Sequence, residues 1–160
     1  MTQTLYRIAS TSPSYNYDDL TGTGAAKSGG RWNRVNTPVV YTAANVALAT
    51  LETIVHIDTP AWPLNRYLLE ISVPENLWLA AEDPRALSTL PPVWDSHPAP
   101  KETTDFGDLW IREKRSVLLI VPSTVIPMEN NVLINPLHPD AVHIKLTRTT
   151  KFTYDSRLRP

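Results

Sequence analysis

"GTGAAKSGGRWN", residues 22–33, decides how this chain is read. Glycines, a lysine and a serine stand in close order, the composition of a loop that cradles phosphate. Two templates for such loops test it. A P-loop requires G-x-x-x-x-G-K-[ST] between a strand and a helix. Here Lys27 and Ser28 follow Ala26 rather than glycine, and "RWN" and a further strand come next. A dinucleotide fingerprint requires G-x-G-x-x-G. Gly22 and Gly24 fit it, but Lys27 occupies the third glycine position. Neither a P-loop fold nor a doubly wound dinucleotide fold is supported, and in isolation the stretch reads as a flexible turn.

The downstream sequence changes that reading. "PVVYTA", residues 38–43, is rich in strand formers, with Pro38 tolerated at a strand start. "NVALATLETIVHI", residues 45–57, is the clearest helix. Ala47, Leu51, Ile54 and Val55 recur at helical spacing, and Thr42 or Asn45 is suited to cap it. Arg31, Tyr41 and Glu52 thus fall on a loop, a strand and a helix in close succession. Short connections set such elements side by side. A cation, a phenol and a carboxylate are therefore expected to converge on one cleft.

Around this centre, residues 4–10 read as a first strand and 11–30 as a long loop. Residues 65–74 form a strand ended by proline, and 106–115 a short helix with Leu109 and Ile111 partly inward. Residues 116–123, "SVLLIVPS", are the best buried strand, and "NNVLINP" and "AVHIKLTRTTKFTYD" supply two more. Residues 76–100 lose any clear pattern and read as a proline-rich surface excursion. About six strands and few helices give an α+β domain occupying residues 1–160 as one unit.

Bulk composition narrows the function. Apolar residues make up 42% and charged residues 19%, as in a folded globular protein. Fifteen prolines against five glycines point to short elements joined by stiff connections. A net charge of −1 carries no field for nucleic acid or an anionic membrane surface. With no cysteine there is no disulfide framework, thiolate nucleophile or thiolate metal site. His138 and His143 lack metal-site context, so no metal is expected. "MTQTLYRIAS" has no apolar signal core and no run reaches membrane-spanning length, so a soluble cytoplasmic protein is expected.

The chain resembles the RES-domain toxins, the enzyme half of bacterial RES–Xre toxin–antitoxin pairs. "GGRWN" matches the arginine motif through Arg31. "VVYTAANVALATLE" matches the next block through Tyr41 and Glu52. "RSVLLIVPS" with "NNVLINPLHP" resembles the C-terminal block through Ser116, and "LYRIA" fits with Arg7. The match runs from Tyr6 to about Pro139, and nothing is carried onto residues 76–105. The resemblance implies an ADP-ribosyltransferase-like fold with a mixed β-sheet core. It implies NAD+ as substrate rather than cofactor, with ADP-ribose passed to water, phosphate or a protein. It also implies an Xre-type helix-turn-helix antitoxin covering the cleft and carrying any DNA contact. A toxin homodimer is compatible with it.

NAD+ chemistry gives each residue an expected task. Cleaving the nicotinamide–ribose bond releases a neutral leaving group, so the enzyme's work is to hold the substrate and stabilise an oxocarbenium-like carbon. Arg31 suits the diphosphate, since a guanidinium fork binds phosphate oxygens and keeps its charge; the other reading is a structural arginine. Tyr41 suits stacking on nicotinamide or ribose, or burial as core. Glu52 interrupts an apolar helix, which is costly unless the carboxylate is paired or faces a cleft. It suits a ribose hydroxyl and the developing positive charge, or a surface pair with His56. Ser116 suits ribose or the nicotinamide amide, or is a boundary residue; no nucleophile elbow surrounds it. Arg7 is a second phosphate candidate, and Trp32 and Asn33 are expected to shape the loop, with core the alternative for Trp32. A binding module that keeps the fold without the chemistry is the competing class.

Overall fold

The first strand sits in the middle of the sheet, and that placement organises the site. The computed structural model describes residues 1–158. A six-stranded sheet runs in the order β4-β5-β2-β1-β3-β6. Its strands are β1 (Thr2–Ala9), β2 (Val40–Ala43), β3 (Arg66–Pro74), β4 (Leu118–Pro122), β5 (Asn130–Ile134) and β6 (Lys145–Phe152). Every strand pair is antiparallel. A parallel bridge joins Glu82, outside the named strands, to Leu119 of β4. The helices are α1 (Thr23–Ser28), α2 (Val46–Ile54), α3 (Glu75–Leu79) and α4 (Lys101–Glu113). The architecture is the α+β domain expected from the sequence.

Alternation along the strands gives the sheet two buried faces. One carries Leu5, Val40, Leu69, Ile71, Val73, Leu118, Val132 and Ile134, covered by Leu77 of α3 and by Ile144. The other is shared between two helices. Trp110 and Ile111 of α4 pack on Val39, Leu119, Val121 and Leu133. Leu48 and Ala49 of α2 pack on Ile8, Ala43 and Tyr154.

Several elements differ from the sequence reading, each for a physical reason. The expected loop 11–30 contains α1, a short helix between Gly22 and Gly29, both of which adopt positive φ. Its glycine-rich ends hid it. Helix α4 begins at Lys101 rather than at residue 106, because its first turns are polar. Leu109 of α4 is exposed while Trp110 and Ile111 are fully buried. In α2 the buried residues are Leu48 and Ala49, so the inward stripe is rotated away from Ala47, Leu51 and Val55. Asn45 is the cap, its Oδ1 accepting the Leu48 N–H at 2.8 Å. Residues 139–143 form a 3-10 turn ahead of β6 instead of extending that strand.

Candidate functional site

β1 pairs with β3 along its whole length, yet meets β2 at the single register pair Tyr6↔Ala43. Beyond that point Arg7, Ile8 and Ala9 of β1 have no register partner on β2. One pocket lies at this end of β1, against α2. Arg7, Ile8, Ala9 and Ser10 come from β1 and its end, Glu52, Thr53, His56 and Ile57 from α2 and its extension, and Tyr15 and Arg66 close the rim. Its volume is about 240 Å³.

Glu52 enters this pocket because of the helix register. It lies four residues after Leu48 and three after Ala49, so it continues the buried stripe of α2. Its Oε1 accepts the Ser123 hydroxyl at 2.7 Å and the Asn131 amide at 2.5 Å. Among the described residues Oε2 takes no hydrogen bond. Ser123 follows β4 and is fully buried. Its Oγ also accepts the N–H groups of Val125 and Ile126, each at 3.0 Å. The carboxylate is thus fixed by one oxygen and open at the other. It pairs with Ser123 and Asn131, not with His56.

Arg31 sits on a stretch clamped by α4. Thr104 Oγ1 donates to the Arg31 carbonyl at 3.3 Å, and the carboxylate of Asp108 accepts the Arg34 N–H at 2.9 Å. The Arg34 side chain pairs with Asp105 and, at 3.5 Å, with Asp108. A Cβ on Gly107 would lie 1.8 Å from the Trp32 carbonyl oxygen, so only glycine permits this approach. The Arg31 guanidinium donates through Nη1 to the carbonyls of Trp94 at 2.7 Å and Ser96 at 2.9 Å. Burial lowers its pKa, while the fields of Asp95, Glu52 and Tyr41 act the other way.

Arg7 is a cation of the pocket itself. Its Nη1 donates to the Asp19 carbonyl at 3.1 Å, and burial lowers its pKa against the fields of Asp19 and Tyr15. Asp19 in turn accepts the N–H groups of Thr21 and Thr23, which ties the loop to the start of α1. A Cβ on Gly24 would meet the Tyr15 ring at 3.1 Å, so α1 backs the tyrosine that rims the pocket.

Four sequence candidates have their polar atoms or rings held within the scaffold. Tyr41 Oη accepts the Trp32 N–H at 3.0 Å and donates to Asn33 Oδ1 at 2.8 Å. Burial raises its pKa, opposed by the Trp32 N–H and the Arg31 charge. Its hydroxyl is committed to the turn that presents Arg31, and the ring joins the core under α4. Asn33 is buried and its Nδ2 donates to the carbonyls of Ala25, Arg34 and Thr37. Trp32 is buried in the same core, edge-on to Phe106 at 6.2 Å. Ser116 is a correction. Its Oγ accepts Trp110 Nε1 at 2.9 Å and donates to the Leu118 carbonyl at 2.7 Å inside the core. No hydrogen is left to offer a ligand, and Ser116 does not line the pocket. The serine that meets Glu52 is Ser123, at the other end of the same strand. The signal for it was its place beyond a buried strand, on the side where α2 crosses.

The arrangement is an α+β domain with an antiparallel sheet, in which Glu52 of α2, anchored on Ser123, shares a pocket with Arg7 of β1, while Arg31 and Tyr41 are not among the residues that line it. A RES domain family model matches residues 4–155, and the chain belongs to the RES domain family. It is 46% identical over 158 residues to the "Prs ADP-ribosylating toxin" of Sphingobium sp. (strain YBL2), covering 99% of this chain and 98% of that protein. It is 38% identical over 156 residues to "Toxin Res" of Photorhabdus laumondii subsp. laumondii, covering 96% of each. The toxin–antitoxin complex MbcT–MbcA of M. tuberculosis contains a chain of the same fold. That similarity has a TM-score of 0.68 at 20% identity and covers 96% of this chain and 85% of that one.

Proposed function

We propose that this chain is the toxin of a toxin–antitoxin pair, that it cleaves NAD+ at the nicotinamide–ribose bond, and that it transfers the ADP-ribose unit to a protein. The observation that carries this reading is Glu52, anchored through Oε1 and open at Oε2 in a pocket that Arg7 also lines. The residues present suit the substrate. A diphosphate needs fixed cations, and Arg7 and Arg66 line the pocket, with Arg31 proposed to take the diphosphate from the turn before β2. A pocket of about 240 Å³ takes one end of a dinucleotide and leaves the rest along the open cleft.

In this reading the C1′–N bond breaks with its electron pair moving to the ring nitrogen, and the pyridinium departs as neutral nicotinamide. Glu52 Oε2 accepts a ribose hydroxyl and its charge stabilises the oxocarbenium-like carbon. The acceptor's lone pair then forms the new bond to C1′ and the acceptor proton is lost to water. The name of the relative at 46% identity supports a protein acceptor, and Prs, which that name contains, is the first acceptor to test. Water or phosphate as acceptor is the second reading, favoured by a Glu52 that is only partly buried.

The antitoxin is proposed to be a helix-turn-helix protein of Xre type that covers the cleft. The fold's occurrence in a solved toxin–antitoxin complex supports a protein partner. Adenine-labelled NAD+ incubated with pure chain and Prs, with and without phosphate, tests the reading. Label on Prs supports transfer, and label in soluble ADP-ribose or its phosphate ester supports the second reading. NAD+ left intact contradicts both and favours a binding module.

A further inference from the structure

Residues 91–100 fall in the stretch whose sequence shows no pattern, and the structure brings them to Arg31. Trp94 packs in the core cluster with Trp32, and Pro91 is buried, so the segment is fastened at the α4 side of the cleft. The Ser96 N–H donates to the Val93 carbonyl at 3.0 Å, closing a tight turn with Asp95 inside it. Val93 adopts φ +52°, a strained conformation for a β-branched residue, and such strain persists where the surroundings over-determine it. Arg31 Nη1 takes the carbonyls on either side of Asp95, at 2.7 and 2.9 Å. The two carbonyls hold the guanidinium in place, and the carboxylate between them is exposed.

We propose that Asp95 is a specificity-determining residue that acts as a displaceable counter-charge on Arg31. The inference rests on Arg31 being the anion anchor of the cleft. Asp95 discounts the cation in the free protein and yields to a multiply charged diphosphate, while singly charged anions compete with it poorly. The electrostatic influences on Arg31 agree, since Asp95 is the foremost charge acting on it and Glu52 follows. Position and charge are supplied by different atoms here. Removing the carboxylate therefore subtracts negative charge without releasing the guanidinium.

The test uses inorganic pyrophosphate and chloride as probes, so that it does not depend on turnover. Pyrophosphate affinity is measured by calorimetry for wild type, Asp95→Asn, Arg31→Ala and the double variant. Asp95→Asn is expected to bind pyrophosphate about three- to fivefold more tightly, the size of one partly screened charge at close range. The gain should vanish in the Arg31→Ala background, and chloride should compete more strongly against the Asp95→Asn variant than against wild type. Unchanged or weaker binding by Asp95→Asn overturns the proposal, as does a gain that survives Arg31→Ala. Loss of NAD+ turnover with the pyrophosphate pattern intact would sink the catalytic reading and leave Asp95's role standing.

Discussion

Glu52 is the residue on which chemistry is expected to depend. A glutamine there keeps an amide oxygen to accept Ser123 and Asn131, so the fold should survive. The lost charge should lower turnover by about 10²–10³-fold, the usual cost of removing one preorganised electrostatic group. The two serines at either end of β4 give a sharper contrast. Ser116→Ala strands Trp110 Nε1 in the core and should cost about 1–3 kcal/mol of stability, with turnover per folded molecule unchanged. Ser123→Ala removes one of the two anchors on Glu52 and should lower turnover by about ten- to a hundredfold, because misplaced groups lose orientation. Denaturant titration beside NAD+ consumption separates the two. The sequence revealed Glu52 as an anomaly in an apolar helix, but it did not reveal which serine the sheet would bring to it. Both ends of "SVLLIVPS" carry one, and only the position of α2 distinguishes them.

Among the elements, α4 and the turn it clamps carry the site on its arginine side. Gly107 lies against the Trp32 carbonyl, so Gly107→Ala should push α4 off the sheet and destabilise the protein by about 3 kcal/mol or more, seen as a lower urea midpoint. Tyr41→Phe removes an acceptor from Trp32 N–H and a donor from Asn33. It should cost about 1–3 kcal/mol, with Tm falling about 2–4 °C per kcal/mol. Arg31 would then be presented loosely, so KM should rise as well. The strands were legible because their apolar alternation has a period of two, and α2 because its period is 3.6. Helix α1 was not, since Gly22, Gly24 and Gly29 give it loop composition. Nor was the start of α4, since Lys101, Glu102 and Asp105 face outward. The inward face of α2 was misread for a related reason. A stripe that ends in a carboxylate looks polar, although its glutamate is the most useful side chain on it.

At the scale of the molecule, the pocket lies where the sheet's pairing is incomplete. β1 is central, paired with β3 along its length and with β2 at one register pair, and past this gap in the pairing Arg7 of β1 and Glu52 of α2 line one pocket. Such a gap cannot be read from periodicity, which reports the faces of strands but not which strands separate. Residues 91–100 were silent for the same reason, since their contribution is two backbone carbonyls and one exposed carboxylate. Among the described residues no helix is long and apolar enough to cross a membrane. Nicotinamide release gives the most direct measurement. Pure chain free of antitoxin is mixed with NAD+ and an acceptor, and free nicotinamide is followed by proton NMR for wild type and Glu52→Gln. Release by wild type, and release about 10²–10³-fold slower by a folded Glu52→Gln variant, is the expected result. Equal release by both, or none by wild type, would contradict a Glu52-centred cleavage of NAD+.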